Sequence, residues 1–237
     1  MAKMTKKFRK TLLVLSICFA RLPLGVLAEE TGLLANLRPI EAYGETPNRD
    51  IEQWKKEISA YSLRHYGVET FAITPFVIVL HYTASDDFPL ILISSETFKD
   101  EAPGVASHFV VDEMDGAGGV YQILPLEVMS RATFGANFCS ISIEMVARDE
   151  KALLSKHELL ETTVKLVREL MERYAIPVER VYGHEEIDAL LAENPRGFFF
   201  DNTIEGSFIP RKVDPGKKAM AYFRERLGAA GEPVGAG

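Results

Sequence analysis

Apolar residues along this chain change period several times, and each change marks an element. Ile51, Trp54, Ile58, Tyr61 and His65 share one face of a 3.6-residue period that follows Thr46-Pro47 and stops at Gly67, which predicts a helix over 48–66. Phe76-Val-Ile-Val-Leu80 is a continuous apolar run rich in β-branched residues, as in a strand buried on both faces, and His81 stands at its carboxyl end. Residues 107–112 and 120–124 flank Asp115-Gly-Ala-Gly-Gly119 and predict a hairpin. Those glycines neither follow a phosphate-cradling spacing nor open a helix, so they read as a turn and not as a nucleotide site. Residues 139–146 alternate strictly, with Ile141, Ile143 and Met145 on one face and Ser140, Ser142 and Glu144 on the other. A carboxylate there either salt-bridges at a surface or lines a pocket, and alternation leaves both readings open for Glu144.

Ser155-x-x-Glu158 reads as a capping box, and Leu160, Val164, Val167, Met171 and Tyr174 then repeat at helical spacing until Pro177, predicting a helix over 155–175. Val181-Tyr182 leads into Gly183-His184. A long segment carrying Phe198-Phe-Phe200 and Phe208 then reaches Arg211-Lys-Val-Asp-Pro-Gly216, and a short helix over 217–227 closes the pattern. Elements of this kind in this order predict one α/β domain: a mixed central β-sheet with the strand of His81 inside it, flanked by helices on its faces.

The first residues carry a different signal. Lys3, Lys6, Lys7, Arg9 and Lys10 precede the apolar run 11–20, which is too short to span a bilayer as a mature helix. A second stretch ends in Val26-Leu-Ala28 before Glu29-Glu30, a small-residue cleavage pattern. The expected division is a signal peptide over 1–28, cleaved after Ala28, an irregular segment over 29–46, the domain over 47–228 and a loose tail over 229–237. Ala20 is the alternative cleavage site, and an uncleaved anchor, the one route to a membrane, is the alternative to cleavage. Leu15-Ser-Ile-Cys18 places bulky Ile17 where a lipidation signal wants a small residue.

Composition narrows the function. The chain has 237 residues, 47% of them hydrophobic, which excludes disorder as its main state, and its net charge of −7 argues against a nucleic-acid partner. Loss of residues 1–28 removes six basic and no acidic residues, leaving 21 Lys+Arg against 34 Asp+Glu and a net charge of −13. Only Cys139 survives that cut, so export brings no intramolecular disulfide, and any metal must be held mainly by His, Asp or Glu.

Three histidines have bland explanations. His65 lies on an apolar stripe and reads as a packed core or boundary residue, His157 as a solvated one in a first helical turn, and His108 as a strand or pocket-wall residue. His81 and His184 each follow a strand, where a buried imidazole needs a ligand or a hydrogen bond. A hydrolytic zinc site takes three protein ligands and keeps a fourth position open, and Asp214 is the best third candidate. In an extended Lys212-Val-Asp214 the lysine and the carboxylate could face one metal together.

With those residues in view, residues 75–217 resemble the zinc-dependent N-acetylmuramoyl-L-alanine amidases, the family of phage lysis amidases and peptidoglycan recognition proteins. The resemblance lies in the order of Val79-Leu-His-Tyr-Thr-Ala84, Ser107-His-Phe109, Val120-Tyr-Gln122, Asn137 with Ser140-Ile-Ser-Ile-Glu144, Gly183-His-Glu185 and Arg211-Lys-Val-Asp-Pro-Gly216. It implies one Zn²⁺ bound by His81, His184 and Asp214, with Glu144 handling the proton of the attacking water and Lys212 steadying the developing oxyanion. It also implies a peptidoglycan or muropeptide substrate, cut between N-acetylmuramic acid and L-alanine by a periplasmic or extracellular enzyme. Many relatives carry His-Ala-Gly where this chain has Ala132-Thr-Phe-Gly135, so a substrate-contacting histidine is absent. The interval from His184 to Asp214 is longer than in the compact family pattern; its aromatics either pack on the domain or form a rim for sugar faces. Two other functions stay open at this stage: a non-catalytic peptidoglycan-binding module and a zinc peptidase acting on the stem peptide.

Overall fold

The computed structural model describes residues 34, 35, 37, 50–89, 97–114, 117–193 and 211–228. The expected signal peptide, nearly all of the segment 29–46, the aromatic-bearing interval 194–210 and the tail 229–237 lie outside the described residues. Among the described residues, no helix is long and apolar enough to cross a membrane.

Strands β1 (Val77–Tyr82), β2 (Phe109–Met114), β3 (Ala117–Gln122), β4 (Ser140–Met145) and β5 (Val181–Gly183) form one sheet in the order β3-β2-β4-β1-β5. β2, β4, β1 and β5 run parallel, and β3 pairs antiparallel with β2. The sheet is therefore mixed, with the strand of His81 in its interior, as the pattern of residues predicts. The helices are α1 (Ile51–Tyr66), α2 (Glu150–Ser155), α3 (His157–Tyr174), α4 (His184–Glu193) and α5 (Lys217–Gly228).

Register sorts the side chains between two layers. Ile78, Leu80, Ile141, Ile143, Phe109 and Val111 share one face, where they pack with Leu160, Val164 and Val167 of α3 and with Met220 and Phe223 of α5. Val77 and Val79 face the other way, into a cluster with Trp54, Ile58 and Tyr61 of α1 and Ile187 and Leu191 of α4. Each such aliphatic side chain contributes about 1.5–3 kcal/mol on burial, so both layers are held by apolar contact. Trp54 also donates its indole N–H to the Met129 carbonyl at 3.0 Å, which ties α1 to the segment before β4.

Several boundaries differ from the sequence reading. α1 begins at Ile51 because the Asp50 carboxylate accepts from the Glu52 N–H at 2.8 Å, and it ends at Gly67 in the left-handed region (φ 78°) as expected. Residues 117–119 belong to β3, since Ala117 pairs with Met114 and Gly119 with Asp112. The helix expected over 155–175 is α3, which starts two residues later than expected, and a separate short helix, α2, precedes it. Asp149 caps an earlier start by accepting from the Ala152 N–H, so Ser155 closes that turn by donating to the Ala152 carbonyl, and the capping box does not form. α4 lies where the sequence was read as irregular. The polar face of β4 is interior, with Ser140 and Ser142 fully buried. His65 sits half-buried against Tyr61 and pairs with Glu101 at 3.0 Å, and His157 is exposed, both as expected.

His108, fully buried beside the sheet, is a structural bridge. Its Nε2–H donates to the Val128 carbonyl at 3.0 Å and its Nδ1 accepts from the Ser142 N–H at 3.1 Å, an arrangement that only neutral imidazole can make. Burial drives its pKa from 6.5 down to about 4. The unfolded chain therefore binds one more proton than the fold between pH 6.5 and about 4, so stability rises with pH across that window and flattens below it. Denaturant titrations of the metal-free protein should show His108→Gln removing up to about 1.4 kcal/mol per pH unit from that slope, whatever its effect on absolute stability. An unchanged slope would mean that His108 is already charged in the fold.

Candidate metal centre

The site grows from three neighbouring parallel strands whose carboxyl ends lie together, the place where open α/β sheets build their sites. His81 of β1 pairs in register with Glu144 of β4, so the two project from the same face side by side. On the other flank Leu80 pairs with Gly183, which sets His184, the first residue of α4, beside His81. The two imidazoles meet edge to face with centroids 4.5 Å apart.

Asp214 arrives from the segment before α5. Its carbonyl accepts from the Glu185 N–H at 3.0 Å, and the Asp188 carboxylate accepts from the Lys212 N–H at 2.8 Å, so two hydrogen bonds hold that segment to the first turns of α4. Close approach requires glycine at two points. A Cβ on Gly183 would meet the Pro215 ring at 2.8 Å, and one on Gly216 would collide with the Glu150 carboxylate. Gly216 is also left-handed at φ 97°. That same Glu150 carboxylate accepts from Lys218 and Ala219 N–H groups at the start of α5, which anchors the far side of the Asp214 segment.

One carboxylate oxygen of Asp214 thus lies 3.1 Å from His81 Nδ1 and 3.3 Å from His184 Nδ1. The three ligand atoms all fall within 4.8 Å of one another, and all three residues are buried. Burial alone would raise the Asp214 pKa, but hydrogen bonds from His184 and His81 hold it well below the usual carboxylate range. Burial, then the neighbouring His81, pushes His184 down to about 4, so it is neutral and able to offer a lone pair at pH 7. Two imidazole nitrogens and one carboxylate oxygen form a donor set suited to a tetrahedral divalent ion with one position left for water or substrate.

Glu144 stands next to this cluster without joining it. Its carboxyl is buried, one oxygen has no hydrogen-bond partner, and burial pushes its pKa up while His81 and Lys212 oppose the shift. The alternation that left its environment open is thus resolved in favour of a pocket wall. Lys212 is exposed, and its ammonium makes no hydrogen bond among the described residues while acting on Glu144, His184 and Asp188 through its charge.

Two residues that pattern reading missed complete the arrangement. The Thr133 hydroxyl lies 3.1 Å from His81 Nε2, and Asp188, one helical turn beyond His184, places a carboxylate oxygen 4.0 Å from His184 Nε2. The i,i+4 spacing of His184 and Asp188 was a usable signal for a helix that the sequence reading did not anticipate.

Residues 72–217, which include every one of these side chains, match the amidase type 2 family, N-acetylmuramoyl-L-alanine amidase. The chain belongs to that family. Among solved structures, this amidase is similar to the N-acetylmuramoyl-L-alanine amidase LysC from Clostridium intestinale URNW at 16% identity, covering 65% of this chain and 86% of that one with a TM-score of 0.47. It is also similar to the Ph2119 endolysin from the Thermus scotoductus MAT2119 bacteriophage Ph2119 (21% identity, 65% and 84% covered, TM-score 0.42) and to PlyL (27% identity, 54% and 83% covered, TM-score 0.39). No curated protein matches the chain. The assignment therefore rests on the family match to the sequence.

Gly216→Ala tests how tightly the Asp214 segment is held. The added Cβ must displace the Glu150 carboxylate and strain a left-handed residue, so the amidase should lose about 2–4 kcal/mol in chemical denaturation. A loss below about 0.5 kcal/mol, the range of an ordinary surface substitution, would show the segment to be free to shift.

Proposed function

We propose that this amidase is an exported, zinc-dependent enzyme that hydrolyses the amide bond between N-acetylmuramic acid and L-alanine in peptidoglycan or muropeptides. The observation that carries the reading is the single Asp214 carboxylate oxygen lying between two buried Nδ1 atoms, with the Glu144 carboxyl in register beside them.

A zinc ion held by His81, His184 and Asp214 would polarise the scissile carbonyl and lower the pKa of a water toward neutrality. Glu144 would accept that water's proton as its oxygen bonds to the carbonyl carbon, and would deliver the proton to the departing alanine nitrogen as the C–N bond breaks. One of its buried oxygens has no hydrogen-bond partner among the described residues, and burial raises its pKa above the ordinary carboxylate value, which favours its taking up a proton. Lys212, held through its backbone N–H to Asp188, would stabilise with its ammonium the charge that develops on the carbonyl oxygen. A binding module would need neither the paired carboxyl nor this lysine. Export is supported by the basic start, the short apolar run and Ala28 before two acids.

Intact sacculi and soluble muropeptides, digested side by side with and without a chelator, test the reaction. Free stem peptides with an N-terminal L-alanine should appear, vanish with chelator and return with zinc. Shortened peptides would mark a peptidase, and release that a chelator leaves untouched would remove the metal.

Roles separate in two variants. Asp214→Ala should lose stoichiometric zinc, whereas Glu144→Gln should keep it and lower kcat by about 10²–10⁴-fold. Equal zinc loss in both would mean that the roles are misassigned. N-terminal sequencing of protein recovered outside the cytoplasm should begin at Glu29; a chain that still begins at Met1 there would refute cleavage.

A further inference from the structure

The two histidines meet Asp214 through Nδ1, so each points its other ring nitrogen, Nε2, back into the protein. Both outer nitrogens face an oxygen. Behind His81 stands the Thr133 hydroxyl, fully buried and 3.1 Å from Nε2. That hydroxyl is itself held in place, because the Asn137 side-chain oxygen accepts from the N–H groups of Ala132 and Thr133 at 2.9 and 2.8 Å. Thr133 in turn lies 3.5 Å from the Ser142 hydroxyl, and Ser142 lies 3.5 Å from Ser130, so a short chain of buried hydroxyls can redirect its protons.

Behind His184 the arrangement is less complete. Asp188 is buried, and one of its oxygens accepts from the Lys212 N–H at 2.8 Å. Its other oxygen is buried without any hydrogen-bond partner and lies 4.0 Å from His184 Nε2. An unsatisfied buried carboxylate oxygen is costly, and among the described residues no donor reaches this one. A short closure of that gap would satisfy it.

We propose that Thr133 and Asp188 position the two histidine ligands from behind, each accepting the Nε2 proton of its imidazole and thereby presenting the Nδ1 lone pair to the metal. The proposal rests on the metal reading of the site. Proton placement makes the argument specific. Without an ion, each Nδ1 can donate its hydrogen to Asp214, and Nε2 then carries a lone pair toward which Thr133 donates and against which Asp188 has nothing to accept. Coordination through Nδ1 puts the hydrogen on Nε2, where Thr133 turns to accept it and passes its own hydrogen on toward Ser142. The same shift supplies the hydrogen that the idle Asp188 oxygen lacks. Such outer partners orient the imidazole and raise its basicity as a ligand. Asp188 has a second task, since its other oxygen holds Lys212 and thus the strand of chain that carries Asp214. It links two of the three ligands.

Zinc affinity, measured by competition with a chromophoric chelator on the full chain, reads the effect directly. Asp188→Asn and Thr133→Val should each weaken zinc by about 10–100-fold, because Asn offers one oxygen for two partners and Val removes the hydroxyl at constant shape. Thr133→Ser, which keeps the hydroxyl, should stay near the wild-type affinity. In the zinc-loaded wild type, nitrogen–proton correlation spectra should show both histidines as Nε2–H tautomers with slowly exchanging protons. Unchanged affinity in both Asp188→Asn and Thr133→Val overturns the proposal, as does an equal loss in Thr133→Ser, which would make the site one of packing. A deprotonated Nε2 on either histidine in the wild-type spectrum also overturns it and needs no variant to fold. Wild-type protein that fails to bind stoichiometric zinc would instead overturn the metal reading itself.

Discussion

The geometry of this molecule depends on the parallel register of three strands. β4, β1 and β5 lie side by side, and the ladder that pairs His81 with Glu144 and Leu80 with Gly183 brings a carboxyl and two imidazoles to one level at the same end of the sheet. A slip of one residue in β1 would turn His81 into the apolar layer against α3 and carry Leu80 into the site. What forbids that slip is the core itself. Ile78 and Leu80 are fully buried on one face and Val77 and Val79 on the other, so either displacement would expose or misplace four aliphatic side chains at about 1.5–3 kcal/mol each. Chemistry at the strand ends is thus fixed by packing well inside the sheet.

Placing charge at the edge of such a core has a cost, which the site meets by mutual satisfaction. Asp214 is buried, yet two imidazoles hydrogen-bond to it and outweigh its desolvation. Glu144 has no such help at both oxygens and shifts toward the protonated form. The two carboxyls differ because one lies between donors and the other beside them. That difference would suit the two acids to the separate roles proposed for them, ligand and proton carrier, without any difference in residue chemistry.

Most of the architecture was legible in the pattern of residues. The apolar run ending at His81, the alternation through Glu144 and the stripes of α1 and α3 each follow from burial on a definite face, and burial is what hydrophobic period reports. Misread features have local causes. α2 was not anticipated because its cap, Asp149, stands only six positions before Ser155, and two cap signals so close together cannot be ranked from sequence. α4 was missed because its first turn carries His184, Glu185 and Glu186, whose roles are tertiary: Glu186 accepts from the Gly183 N–H and also pairs with Arg224 of α5. Thr133 left no signal, because a lone hydroxyl beside one imidazole nitrogen makes no period and no motif, and only the fold brings it there. Asp188 showed in the sequence only as the i,i+4 partner of His184, a spacing that carries meaning once the segment is a helix.

The long interval between His184 and Asp214 poses the sharpest question about robustness, because two members of one cluster sit about thirty positions apart in sequence. Chain between two fixed ends costs entropy only logarithmically with length, about 0.6 kcal/mol per doubling, so the interval itself is a small burden. What matters is how firmly its ends are joined. Here they are joined three times, by Glu185 N–H to the Asp214 carbonyl, Lys212 N–H to Asp188 and Pro215 against Gly183, while the Glu150 carboxylate of α2 holds the first turn of α5 from the far side. Each of these contacts is made by residues outside 194–210, and together with His81 at the end of β1 they hold the three side chains of the cluster within 4.8 Å of one another.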